Sequence, residues 1–152
     1  MKYFGYGSNL NLNDLKKWCE RNNERIPKME NPNMVKLENY VIGFTRKSIT
    51  RGGGVADIIR SKSEHCFGVV FDVSEDDFKI LDKKEGVKIV GGAYQRISLP
   101  NDMISYEVVN KESDFVAPTN EYLNAIIDGA KNFGLPQEWI GKLESFRKKS
   151  ES

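Results

Sequence analysis

The chain has 152 residues, with 23 Lys+Arg against 22 Asp+Glu and a net charge of +1. That length predicts a single domain over 1–152, burying roughly two-thirds of its unfolded surface with no disulfide or metal required. Its 39% hydrophobic and 11% aromatic content suits a globular protein, and a charge this near zero offers no long-range field for nucleic acid.

Lys2 to Tyr6 reads as a short strand, broken by Gly7-Ser8-Asn9. Leu12, Leu15 and Cys19 fall near helical spacing and predict a helix capped by Asn11 or Asn13. Asn22 through Pro32 is polar and irregular. Met34 to Lys47 reads as an extended strand, and Gly52-Gly53-Gly54 as a mobile turn. Val55 to Arg60 and His65 to Val73 read as two further strands.

Ser74, followed by Glu75, Asp76 and Asp77, starts a helix with acid in its first turn, and Gly86 sits where a C-terminal cap belongs. Ala93 to Leu99 and Met103 to Asn110 read as strands joined by Pro100-Asn101-Asp102. Thr119 caps a helix reaching about Asn132, and Gly134 ends it. Pro136 fits the first turn of a last helix carrying Trp139, Ile140 and Leu143. Arg147-Lys148-Lys149 is expected to be a frayed, solvated end. Six strands interrupted irregularly by helices predict an α+β domain. Its sheet is expected to be mixed, mostly antiparallel and barrel-like, with flanking helices, rather than doubly wound and parallel.

The rare residues exclude more. Structural zinc takes four Cys/His ligands, and the chain has only His65, Cys19 and Cys66, so a metal is not expected. With one histidine, proton chemistry falls to a carboxylate. No apolar run suits a signal peptide or a membrane span, so the cysteines read as reduced thiols of a cytoplasmic protein.

Two segments could carry chemistry. In Tyr3-Phe4-Gly5-Tyr6-Gly7-Ser8-Asn9-Leu10, a strand runs through a glycine-containing turn into a helix. Backbone N–H groups at such a turn lack intrachain partners and suit a carboxylate or an oxyanion. Gly5 and Gly7 allow close approach to the main chain, and Tyr3 and Tyr6 offer hydroxyls. The other reading is an ordinary strand–turn–helix with glycines for bending. On the helix from Asp76 to Glu85, one face carries Phe78, Leu81, Asp82 and Glu85. Two carboxylates on a core-directed face are either paired or functional, and the wheel leaves both open. Lys83 and Lys84 point elsewhere, and Ile80 lies off the stripe.

The first segment is similar to the signature that opens γ-glutamylcyclotransferases. Leu81-Asp82-Lys83-Lys84-Glu85-Gly86-Val87 resembles the family's second signature, which holds its catalytic glutamate. Phe67-Gly68-Val69-Val70-Phe71, Gly92-Ala93-Tyr94, Pro118 through Tyr122, Gly129-Ala130-Lys131 and Gly134-Leu135-Pro136 extend the likeness over about residues 3 to 145.

The resemblance implies cleavage of a γ-glutamyl amide by its own α-amino group, releasing 5-oxoproline. It implies Glu85 as general acid/base. It assigns the substrate site to Tyr3, Phe4, Gly5, Tyr6, Gly7, Ser8 and Asn9, with Asn9 fixing the turn and Tyr122 closing the site. Tyr94 and Tyr106 stand as secondary candidates, and Asp82 as a group that orients Glu85 or nearby backbone. The implied partner is a small γ-glutamyl substrate, with a homodimer left open. Two alternatives remain at this point: another γ-glutamyl amide, such as a γ-glutamylamine or an acylated metabolite, and a non-enzymatic module binding acidic metabolites. An intact Glu85 argues against the last.

Overall fold

The structure, a computed structural model, describes residues 1–87 and 92–151. The chain opens with β1 (Lys2–Gly5), a 3₁₀ turn (Ser8–Leu10) and α1 (Leu12–Arg21). Two long strands follow, β2 (Glu30–Ser48) and β3 (Gly53–Asp72), then α2 (Glu75–Glu85). β4 (Tyr94–Leu99), β5 (Met103–Val108), α3 (Asn120–Asn132) and α4 (Gln137–Glu151) complete it.

The sheet has the order β2-β3-β1-β5-β4. β1 runs parallel to β5, and the other pairs are antiparallel. The α+β class and the mixed, mostly antiparallel sheet are as expected. The strand count is not, because Val55–Arg60 and His65–Val73 belong to one strand. Tyr40 pairs with Arg60 and Glu38 with His65, so residues 61–64 bulge within a ladder that resumes on both sides of them. Asn39 and Ser63 take positive φ there. Their polar neighbours read as a break in the sequence because a bulge releases side chains to water. The stretch expected to be irregular up to Pro32 likewise joins β2 at Glu30.

β1 positions everything that follows. It is short and central, and it stops at Gly5. Beyond it, β3 and β5 face each other across the space β1 vacates. Asp57, fully buried on β3, spans that space. Its carboxylate accepts from Val108 N (2.9 Å), Ile58 N (2.8 Å), Thr45 Oγ1 (2.8 Å) and Lys111 Nζ (2.7 Å). The segment after β5 then folds back over the hairpin. Val116 N donates to Phe44 O (3.0 Å), and Gly54 N to Ala117 O (2.8 Å). These bonds tie the segment to both strands of the hairpin.

The helices bury one face each. In α1, Asn11 is the cap, its side chain accepting from Asp14 N (3.0 Å). Leu15 and Cys19 are buried, whereas Leu12 is 55% exposed and lies off the buried face. Ser74 caps α2 by accepting from Asp77 N (3.1 Å), and Gly86 ends it at φ 70°. Thr119 caps α3 as expected. Gly129 lets α3 lie against the 3₁₀ turn, since a Cβ there would stand 2.6 Å from the backbone of Leu10. Trp139, Ile140 and Leu143 are buried on α4, and Pro136 immediately precedes that helix.

The C-terminal basic run is not frayed. α4 continues to Glu151, and Arg147 donates to Asn120 Oδ1 (3.0 Å) and Asn124 Oδ1 (2.7 Å) on α3. Lys149 lies over the Phe115 ring at 4.3 Å. Helix packing supplies those partners, and a linear reading of basic residues does not contain them.

Candidate active site

A pocket of about 40 Å³ sits where β1 ends. The first segment contributes Tyr3, Tyr6, Gly7, Ser8 and Asn9 to its wall. Ala56 comes from β3, Glu85 from the end of α2, and Tyr94, Tyr106 and Tyr122 from β4, β5 and α3. Phe4 and Gly5, expected at the site, stand behind it. Strand alternation turns Phe4 to the opposite side from Tyr3, and Phe4 is fully buried. A Cβ on Gly5 would lie 3.0 Å from the Leu10 side chain, so this glycine serves packing rather than ligand approach.

The polar face of α2 resolves into two roles. Phe78 and Leu81 are fully buried, which confirms that the face points inward, and Ile80 is buried as well although it lies off the stripe. Asp82 is paired. Arg96 Nε and Nη2 donate to its two oxygens at 2.8 and 2.7 Å, and the Tyr106 hydroxyl donates at 2.7 Å. Glu85, one turn further on, is half-buried and has no ion pair among the described residues. Its Oε1 accepts from Asn9 Nδ2 at 2.9 Å.

Asn9 therefore does more than hold a turn. Its Nδ2 spends both hydrogens, one on Glu85 and one on the Tyr3 hydroxyl at 2.9 Å. Its Oδ1 is buried without a donor among the described residues. A buried acceptor left unpaired costs about 1–3 kcal/mol, so it marks a place for a donor from outside the chain.

The tyrosines form a neutral cage around this link. Tyr122 Oη accepts from Ala56 N (3.0 Å), and Tyr94 Oη donates to Ala56 O (2.5 Å). Tyr6 Oη donates to Tyr106 O (2.7 Å). Burial pushes the Tyr122 phenol up to about 12 and raises Tyr3, Tyr6, Tyr94 and Tyr106 well above the ordinary value. The charge of Glu85 adds to each rise. All five rings thus carry a proton at neutral pH. Tyr3 and Tyr122 accept at their oxygens, which leaves both O–H hydrogens available to a ligand.

Outside this pocket lies a cleft of about 740 Å³, sharing Ser8, Glu85, Tyr94 and Tyr122 with it. Arg51, just before the Gly52-Gly53-Gly54 turn, lines this cleft, and nothing in the sequence marked it. Its Nη1 and Nη2 each donate at 2.8 Å to Asp14, and Nη2 lies 3.5 Å from Ser8 Oγ. The guanidinium carbon is 4.9 Å above the Tyr122 ring. The separation of 37 positions between Arg51 and Asp14 left no local pattern to find. His65 is elsewhere, 3.8 Å from Glu138 and edge-on to Phe67. Cys19 and Cys66 are free and buried. No cluster of three or more His, Cys, Asp or Glu among the described residues is placed to hold a metal. No helix among them is long and apolar enough to cross a membrane.

A sequence profile of the AIG2-like family matches residues 65–143. The γ-glutamylcyclotransferase of Bos taurus is 34% identical, the match covering 94% of this chain and 77% of that protein. The γ-glutamylcyclotransferase of Homo sapiens is 32% identical over the same shares. The chain belongs to the γ-glutamylcyclotransferase family. A solved γ-glutamyl cyclotransferase structure agrees, with a TM-score of 0.73 and 27% identity over 95% of this chain and 86% of that one. The AIG2-like match includes α2 with Glu85 and α3 with Tyr122, but not β1 or the 3₁₀ turn. In this family member the hydrogen bond from Asn9 to Glu85 and the one from Tyr6 to Tyr106 O join the two halves of the pocket.

Proposed function

We propose that this chain converts γ-glutamyl amino acids to 5-oxoproline and a free amino acid, with Glu85 as the group that moves the proton. The observation carrying this reading is the Asn9–Glu85 hydrogen bond of 2.9 Å, inside a pocket whose wall includes five protonated tyrosines. It places one carboxylate, without a cationic partner among the described residues, beside hydroxyl and backbone donors.

The substrate supplies its own nucleophile. The α-ammonium loses a proton to Glu85, and the freed amine attacks the γ-carbonyl carbon. A C–N bond forms and closes the five-membered ring. The tetrahedral oxyanion is met by the Tyr3 and Tyr122 hydroxyls and by the Ser8 and Asn9 N–H groups. Those N–H groups precede the first bond of the 3₁₀ turn, from Leu10 N to Gly7 O (3.2 Å). Glu85 then gives the proton to the departing nitrogen as the original amide bond breaks, and the second proton of the ring nitrogen leaves with the released amine, which departs as an ammonium. No water is consumed, and the ring-closing pose contributes an orientation effect. The unpaired Asn9 Oδ1 is the acceptor suited to the substrate's amine. Glu85 also separates an enzyme from a module that only binds acidic metabolites, because such a module gains nothing from a carboxylate inside its pocket. The free, buried thiols support a cytoplasmic site of action.

The test is incubation with γ-glutamyl-alanine and measurement of 5-oxoproline. Product from the native protein and its loss in Glu85→Gln are expected. Absence of product from the native protein overturns the reading, and a Glu85→Gln variant with most of its activity overturns the role of Glu85.

A further inference from the structure

The pocket of about 40 Å³ shares lining residues with the outer cleft of about 740 Å³. Glu85 lines both spaces, whereas its neighbour Lys84 lines only the cleft. The 100° step between consecutive helix positions sets Lys84 one stage outward from the proton-transfer group. Lys84 is half-buried and makes no hydrogen bond or ion pair among the described residues.

The carboxylates around it are otherwise engaged. Asp14 faces Lys84 across the cleft but gives both oxygens to Arg51. Glu85 accepts from Asn9. Burial pulls the Lys84 ammonium below its ordinary value, while the charge of Glu85 works the other way. A desolvated ammonium without a bonded counter-ion is costly to keep. An anion brought by the ligand removes that cost.

We infer that Lys84 receives the carboxylate of the leaving amino acid, so that this enzyme selects γ-glutamyl amino acids over uncharged γ-glutamyl amides. The inference rests on the cyclotransferase reading and deepens it. Arg51, which also lines the cleft, serves the same end by stacking on Tyr122 and occupying both oxygens of Asp14. In the substrate, the leaving nitrogen lies at Glu85, and its α-carboxylate follows two bonds later, on the Lys84 side.

The experiment compares γ-glutamyl-alanine with γ-glutamyl-ethylamide, which lacks that carboxylate, by steady-state 5-oxoproline formation. The native protein should prefer γ-glutamyl-alanine by about tenfold or more in kcat/KM, the scale of one charge-assisted hydrogen bond. Lys84→Gln should lose most of that preference through a raised KM for γ-glutamyl-alanine, with the ethylamide changed less than about threefold. Lys84→Arg should restore much of it, since the charge returns. Turnover of both substrates without preference, or an equal loss on both in Lys84→Gln, overturns the assignment. No product from either substrate overturns the cyclotransferase reading and this assignment with it.

Discussion

The inner pocket and the outer cleft share Ser8, Glu85, Tyr94 and Tyr122, yet different interactions hold them. Around the pocket, phenols kept protonated by burial bond to one another's backbone and to Ala56. Beneath Ala56 stands Asp57, buried and bonded four times. The cleft is organised instead by a half-buried ion pair, Arg51–Asp14, and by Lys84. Neutral hydrogen bonds in a dry wall fix geometry without competing for the proton that Glu85 must move. Charges at a wetter rim act on what enters and are screened by salt. Chemistry and selection are thus placed at different depths along one path.

The most damaging change to this division removes the support under the pocket. Asp57→Ala leaves two backbone N–H groups and Lys111 without their acceptor. It should cost about 3–5 kcal/mol in urea unfolding, the range for breaking a buried pair. A loss below about 1 kcal/mol would show that the space beyond β1 is held by something else. Next comes Glu85→Gln, nearly isosteric. Its turnover should fall at least about a hundredfold, equivalent to about 2.7 kcal/mol, with the unfolding midpoint almost unmoved.

Tyr122→Phe tests the pocket wall more gently. The Ala56 N–H loses its acceptor, for about 1–3 kcal/mol of stability, while the ring under Arg51 remains. Unchanged stability would mean that water replaces the hydroxyl.

The smallest effect belongs to the cleft. Arg51→Lys gives up the bidentate contact and should cost about 1 kcal/mol or less, diminishing as salt is added. Burial works to raise the Asp14 carboxyl, but the Arg51 hydrogen bonds together with the charges of Arg51, Lys84 and Arg21 outweigh it and hold the group below its ordinary 3.8. The stability from this pair is therefore fully present above that ordinary value. It is lost as pH falls through the lowered folded value. An acid titration of stability should be shallower in Arg51→Lys than in the native protein.

Residues that lie together in the chain were legible before any fold was known. The Ser74, Gly86 and Thr119 caps are local patterns, and so is the glycine-containing turn after β1. The two family motifs placed Glu85 and the Tyr3–Asn9 segment at one site. Position within a motif did not say which way each side chain faces. Phe4 shares the motif with Tyr3, but the two-residue period of a strand sends it into the core. The bulge at 61–64 hid the continuity of β3 for a related reason, since its polar residues answer to water rather than to the ladder.

By itself the sequence determined the α+β class, the helix boundaries set by caps, and the family to which the chain belongs. Each depends on residue types within a turn or two of one another, where propensity and capping act. Only the tertiary structure decided that Asn9 reaches Glu85 across 76 positions, that Asp82 is spent on Arg96 and Tyr106, and that Arg51 and Lys84 border the cleft. Those contacts depend on β1 stopping at Gly5 and on β3, α2 and α3 closing around the space it leaves. No local pattern encodes a partner so distant, because burial and the choice of partner arise only when the elements pack.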